Sequence, residues 1–236
     1  MQKTMGRNIA VIPARGGSKR IPKKNIKPFL GKPIIQYSIA AALESGCFDE
    51  VMVSTDSGEI ADVAVSLGAR APFLRSERTS DDHAGLTDVI EEVLTSYQHA
   101  GIDFATCCCI LPTAPLLTGP RIGEAGELLR NDKKDVVLPI VRFSYPIQRA
   151  LVIDNGRVRM MHPENREKRS QDFIETYHDA GQFYWMDVGS FLKTKALFTD
   201  NTGYIVISET ECQDIDNIED WEIAELKFRA IFKEHD

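Results

Sequence analysis

The stretch Ile9-Ala10-Val11-Ile12-Pro13-Ala14-Arg15-Gly16-Gly17-Ser18-Lys19-Arg20-Ile21-Pro22-Lys23-Lys24-Asn25 constrains this chain more than any other. A short apolar run reads as a buried strand and breaks into a Gly-Gly turn. Arg15, Lys19, Arg20, Lys23, Lys24 and Lys27 follow with no acid among them, in a chain whose formal net charge is -7. Glycines let backbone N–H groups approach an anion, and Arg and Lys neutralise it. A triphosphate suits that arrangement. A solvated basic loop is the plainer alternative, and the strand-to-glycine junction argues against it.

Two familiar phosphate loops fail on spacing. The P-loop needs Gly-Lys followed by Ser or Thr, and here Gly31-Lys32 is followed by Pro33. The dinucleotide fingerprint G-x-G-x-x-G is not supplied by Gly16-Gly17-Ser18-Lys19-Arg20.

The remaining sequence predicts one α/β domain over residues 1–236, with a mainly parallel sheet and helices on both faces. Helices are expected over 34–45, with Ile35, Ile39 and Leu43 on one face and Pro33 in the first turn, then over 59–67, 87–99 and 120–130. Strands are expected over 50–55, 105–111 and 135–141. Beyond Pro139 the rhythm changes. Asn155-Gly156 between two apolar runs signals a hairpin. An aromatic strand over 181–185 reads as part of an antiparallel insertion or edge layer, placed at about residues 140–185. A strand near 204–207 and a helix over 218–232, with Trp221, Ala224, Phe228 and Ile231 facing the core, complete the chain.

Composition excludes several classes. No apolar run reaches the ~20 residues of a membrane span. The polar N-terminus has no secretory h-region, and the negative net charge argues against general nucleic-acid binding. Cys47, Cys107, Cys108, Cys109 and Cys212 make an odd set, three of them adjacent in a strand. Adjacent strand positions point to opposite faces, so these are expected to be core filler in a reduced, cytoplasmic protein.

Asp214 and Asp216, two apart, face the same way in an extended segment and can hold Mg²⁺. Alternatively, Asp216 or Asn217 caps the helix that begins at Ile218. Arg169 could recognise a carboxylate, and residues 177–185 combine polar groups with aromatic faces as a sugar pocket would; an ordinary loop and a core strand are the competing readings. His178 is a contact candidate only.

With those residues in hand, the chain resembles the CMP-sugar synthetases that activate nonulosonic acids, and within them the branch acting on pseudaminic acid. The resemblance runs from Ile9 to about Phe228. It rests on the Arg-Gly-Gly-Ser-Lys loop, Ser54-Thr55-Asp56, Arg75 with Asp82, Leu111-Pro112-Thr113-Ala114-Pro115 and Asp214-Ile215-Asp216. For the branch it rests on 144–151, Arg169-Ser170-Gln171-Asp172 and 177–185.

The resemblance implies a nucleotide-diphospho-sugar transferase fold and transfer of CMP from CTP to the sugar's anomeric hydroxyl. Arg15, Ser18 and Lys19, with Ala14 and Gly16, would hold the triphosphate. Asn25, Arg75 and Asp82 would seat the cytidine nucleotide. Asp214 and Asp216 would bind Mg²⁺ and, with Arg15 and Lys19, carry catalysis; the general base is unassigned, Asp216 being a candidate. Arg169 would face the sugar carboxylate, with Thr113, Gln182, Phe183 and Tyr184 on the sugar side. The insertion would form a homodimer interface. Leu111 stands where sialic-acid members usually carry Gln, which implies a sugar with a more apolar edge. Another acid sugar (N-acetylneuraminic or legionaminic acid), or a non-catalytic nucleotide-binding regulator, are the alternatives.

Overall fold

The computed structural model describes residues 6–80 and 84–232. In chain order the elements are β1 (Asn8–Pro13), the two-residue pair β2 (Pro28–Phe29) and β3 (Lys32–Pro33), α1 (Ile35–Glu44), β4 (Glu50–Ser54), α2 (Gly58–Ser66), α3 (Glu77–Ser80) and α4 (Leu86–His99). Then come β5 (Thr106–Ile110), α5 (Gly119–Asn131), β6 (Val136–Arg142), β7 (Leu151–Asp154), β8 (Arg157–Met160) and β9 (Tyr177–Asp179). The chain ends with β10 (Phe183–Asp187), α6 (Val188–Thr194), β11 (Thr202–Val206) and α7 (Ile218–Phe232).

The strand order is β11-β6-β10-β5-β1-β4, with β9 also paired to β6. β1 runs parallel to β4 and β5, and β11 parallel to β6, while β10 is antiparallel to both its neighbours. Alternation of side chains divides the interior into two layers. Ala10, Ile12, Cys108 and Trp185 pack with α1, α2 and α5 on one face; Ile9, Val11, Cys107 and Cys109 pack with α4 and α6 on the other. The three adjacent cysteines are thus buried on alternate faces, as expected of core filler. Among the described residues no helix is long and apolar enough to cross a membrane.

The aromatic strand corrects one expectation. β10 is neither an edge nor an outer layer; it lies in the middle of the sheet, with Trp185 opposite Cys108 on one side and Val137 on the other. Its aromatic residues are apolar on both faces, which is what a central strand requires, and Trp185 stacks on Phe48 at 4.9 Å. Smaller differences have the same origin in packing. Leu43 and Ile231 are exposed, Pro33 pairs in β3 instead of opening α1, and α3, α6 and the β2–β3 pair carried no readable pattern.

The Asn155-Gly156 hairpin forms as expected, with both residues at positive φ. β7 and β8 pair only with each other and project Leu151, Ile153 and Val158 to the outside.

Gly119 marks a tight helix contact. A Cβ there would lie 3.0 Å from the Ser45 backbone nitrogen and 3.1 Å from its Cα, and a backbone cannot step aside as a side chain can. Gly119→Ala is expected to lower stability by about 1–3 kcal/mol, read as a shift in the urea midpoint.

Candidate active site

A third apolar cluster joins the segments that matter for function. Ile21, Phe29, Ile34, Leu116, Ile215, Trp221 and Phe228 pack together beneath the carboxyl ends of the parallel strands. Ile21 belongs to the basic loop and Ile215 stands between the two aspartates. Each is essentially fully buried, so each anchors its own segment to the same core. An extended chain that buries Ile215 must turn Asp214 and Asp216 the other way. Both line a cleft of about 420 Å³, together with Arg15, Ser18, Lys19 and Lys24. Residues some 190 positions apart in sequence thus share one wall-to-wall site.

The basic loop leaves β1 along a defined path. The Ala14 N–H donates to the Ser54 carbonyl at 2.9 Å, continuing the β1–β4 ladder by one residue. Asn25 Nδ2 donates to the Arg15 carbonyl at 2.9 Å and ties the two arms of the loop together. The Gly16 N–H donates to Asp56 Oδ1 at 2.8 Å. Lys23 adopts a left-handed φ of 51°, and its ammonium meets both Glu59 carboxylate oxygens at 2.7 and 2.8 Å.

The acidic wall is organised from below. Asn217 Oδ1 accepts the Asp220 N–H at 3.0 Å, while Asp220 Oδ2 accepts the N–H groups of Asp216 and Asn217. Asn217 and Asp220 therefore cap α7, which leaves the Asp216 carboxylate for the cleft, where Arg20 meets it at 2.7 Å. Arg121 pairs with both oxygens of Glu211 at 3.0 and 3.1 Å, and Lys227 donates to the Cys212 carbonyl at 2.8 Å. These contacts pin the approach to Asp214 from residue 211 onward.

Charge is crowded at this wall. Partial burial, then the neighbouring Asp216, hold the Asp214 carboxyl above its ordinary value. Lys24 reaches between the two aspartates and donates to the Ile215 carbonyl at 2.7 Å. Burial lowers its ammonium pKa, against the pull of Asp216 and Asp214. Lys24 reads in the sequence as one more cation of the loop; only the left-handed turn at Lys23 and the short 3-10 helix Lys24–Ile26 aim it at the acids.

Leu111, Pro112 and Thr113 form the floor of the cleft. Leu111 is clamped through its backbone, donating to the Gln182 carbonyl at 2.8 Å and accepting from Ser38 Oγ at 2.7 Å. Between β9 and β10 the chain kinks at Gly181, at φ +63°, where a Cβ would lie 3.9 Å from Asp214. Asp179 holds the kink by accepting from the Gly181 N–H at 2.8 Å and from the Tyr184 hydroxyl.

The structure redistributes the sugar-side residues. Phe183 has 0% of its surface exposed and sits in the core beside Trp185, which removes it from a sugar-lining role: its place on β10 points it into the α5 layer. Gln182 is buried with its amide donating to the Glu211 carbonyl, so it braces the acidic segment. Tyr184 is buried in the opposite layer. Arg169 is exposed on the insertion, outside the cleft lining of its own chain.

Of the residues expected on the nucleotide side, Ala14 is fully buried with its N–H bonded to Ser54, and the Gly16 N–H is already engaged by Asp56. Arg75 lies beneath the loop, donating to the Ser54 carbonyl at 2.7 Å and to the Thr79 carbonyl at 3.3 Å. Asp82 lies outside the described residues. His178 lies against Phe143 with their rings tilted at 57°, away from the cleft lining.

A sheet with a cationic glycine loop facing a pair of aspartates across its carboxyl edge suits nucleotidyl transfer. The chain belongs to the cytidylyltransferase family, which it matches over residues 9–213. It is 41% identical to the pseudaminic acid cytidylyltransferase of Campylobacter jejuni, over 95% of this chain and 97% of that one. It is 33% identical to the CMP-N,N'-diacetyllegionaminic acid synthase of Legionella pneumophila, over 93% and 95% of the two chains. Among solved structures, CMP:2-keto-3-deoxy-manno-octonic acid synthetase complexed with CTP superposes with a TM-score of 0.71 at 18% identity, covering 95% of this chain and 99% of that one. That likeness speaks for the fold.

Proposed function

We infer that this enzyme transfers CMP from CTP to the anomeric hydroxyl of pseudaminic acid, releasing pyrophosphate and yielding the CMP-activated sugar. The observation that carries this reading is the single cleft in which Arg15, Ser18, Lys19 and Lys24 face Asp214 and Asp216. The identity with pseudaminic acid cytidylyltransferase supports the sugar.

In this reading the anomeric oxygen attacks the α-phosphorus as the bond to pyrophosphate breaks. The protein's task is alignment and charge compensation. Arg15 and Lys19 offset the charge that grows on the leaving pyrophosphate, and Lys24, held by the Ile215 carbonyl, adds a third cation at the aspartate end. Asp214 and Asp216 fit a magnesium ion: the carboxylates share one face, and their mutual repulsion is what a cation would relieve. Bound there, it would neutralise phosphate oxygens and acidify the attacking hydroxyl. The general base is unassigned, with Asp216 a candidate acceptor for that proton. Leu111 presents an aliphatic side chain from the floor, where a polar contact would select a different sugar edge.

A homodimer in the cytoplasm completes the reading. Tyr145, Ile153 and Ile174 are between 81% and 85% exposed on the insertion, an apolar surface suited to burial against a second copy. Arg169 does not line the cleft of its own chain, and from such a neighbouring copy it would be placed to meet a sugar carboxylate.

Pyrophosphate release from CTP and Mg²⁺, measured with pseudaminic acid and with N-acetylneuraminic acid in parallel, tests the reading. Release with pseudaminic acid alone is expected. Release with N-acetylneuraminic acid alone would keep the family and reject the substrate. CTP binding without release on either sugar would favour a non-catalytic nucleotide-binding role.

A further inference from the structure

Glu59 and Asp216 meet side chains of the basic loop, whereas Asp56, at the turn between β4 and α2, holds its backbone. That turn is rigid. Thr55 is fully buried and accepts the Ser57 N–H on its hydroxyl at 3.1 Å, while its carbonyl accepts the Arg75 N–H at 2.8 Å. Ser57 caps α2 through the Ile60 N–H. The loop backbone lies directly on this platform, since a Cβ at Gly16 would stand 3.3 Å from the Ser57 Cβ. From this platform Asp56 Oδ1 accepts the Gly16 N–H at 2.8 Å. One residue later the loop is open, and a Cβ at Gly17 would meet nothing within 4 Å.

We propose that Asp56 is a positioning residue for triphosphate binding: its carboxylate holds the Gly16 N–H and so fixes the point at which the loop leaves the sheet. This rests on the reading of the loop as the triphosphate site. A carboxylate so close to bound phosphates would repel them if it stood alone. It does not: Asp56 is the strongest opposite charge acting on Arg75, whose guanidinium is anchored on the Ser54 and Thr79 carbonyls. The nearby Arg75 charge offsets part of the Asp56 charge at the tether. The Ala14 and Gly16 N–H groups donate to Ser54 and Asp56, and the Ser18 N–H to the Gly16 carbonyl, so contact with phosphates from this part of the loop falls to Gly17 and to the Arg15, Ser18 and Lys19 side chains. Without Asp56 the free portion would begin one residue earlier, at Gly16, immediately after Arg15.

The effect should follow the number of phosphates on the ligand. Calorimetric titration of the full chain with CTP and with CMP, for the wild type, Asp56→Ala, Asp56→Asn and Gly16→Ala, tests it, with melting temperature recorded alongside. Asp56→Ala is expected to weaken CTP about tenfold while leaving CMP within about twofold, in line with loss of a charge-assisted hydrogen bond. Asp56→Asn should restore CTP binding, because its carbonyl oxygen still accepts the Gly16 N–H. Gly16→Ala, which lifts the loop off Ser57, should reproduce the CTP-selective loss and gives an independent reading if Asp56→Ala folds poorly. Equal weakening of CTP and CMP, unchanged or tighter CTP binding in Asp56→Ala, or no recovery in Asp56→Asn would overturn the proposal. A wild type that binds CTP no better than CMP would instead overturn the triphosphate reading itself.

Discussion

Arg15→Ala is expected to lower turnover by about 10²–10³, the range seen when one preorganised donor to a developing charge is removed. The expectation rests on how the side chain is held. Its carbonyl is fixed by Asn25 and the residues on either side of it are tied to Ser54 and Asp56, so the guanidinium projects into the cleft from a backbone that does not need to reorganise. Preorganisation of this kind is what makes a cation worth more here than in water. Arg15→Lys keeps the charge but loses the planar fork, and should fall between the two. The melting temperature of Arg15→Ala should stay near that of the wild type, because the side chain borders an open cleft and not the core. Wild-type turnover in Arg15→Ala, measured by pyrophosphate release, would remove the loop from the mechanism.

Asp214→Asn should cost a comparable ~10²–10³ in turnover, with the opposite sign on stability. The Asp214 carboxyl is held above its ordinary value by partial burial and by Asp216. A group with a raised folded value binds its proton more readily folded than unfolded. Its ionisation at neutral pH therefore opposes folding, and that penalty fades as pH falls through the raised value. Replacing the carboxylate by an amide removes the penalty at every pH. The metal-free variant is thus expected to melt at or above the wild-type temperature at pH 7, with the difference narrowing as pH is lowered. Magnesium should raise the melting temperature of the wild type and not of Asp214→Asn, since a ligand stabilises only the state that binds it. A variant less stable than the wild type without metal, or one still stabilised by magnesium, would break the assignment. Sites that bind charge are commonly destabilised for function, and this pair has that character.

Much of the site is local chemistry and could be read along the chain. The apolar run before Arg15 reads as a buried strand, and Gly16-Gly17 with its cations reads as an anion loop in preference to a solvated basic turn. Asp214-Ile215-Asp216 puts two carboxylates on one side of an extended segment by alternation alone. The cap reading holds in its Asn217 form: Asn217 and Asp220 cap α7, and the Asp216 carboxylate is turned to the cleft instead. Similarly, the Asn155-Gly156 hairpin needs only two positive φ angles, which those two residues supply.

Phe183 and Gln182 show where local reading ends. The alternation along β10 separates two faces, but nothing in it says that the strand lies between β5 and β6 or which face looks toward the cleft. An aromatic strand at an edge and one at the centre are written with the same residues, and the pairing that distinguishes them joins Phe183 to Ile110, across 73 positions. Lys24 and Asp56 are the same case. Each is one charge among several until the fold places it against Ile215 or Gly16.

By itself, then, the sequence determined the alternating strands and helices, the cationic glycine loop and the same-side aspartates, because each follows from side-chain periodicity and backbone preference over a few residues. The tertiary structure alone decided that the loop and the aspartates face one cleft, through the shared burial of Ile21 and Ile215. It also decided which charges act on that cleft and which aromatic residues belong to the core. Those outcomes depend on hydrophobic burial and hydrogen bonds between distant segments, and such contacts exist only once the chain has closed on itself.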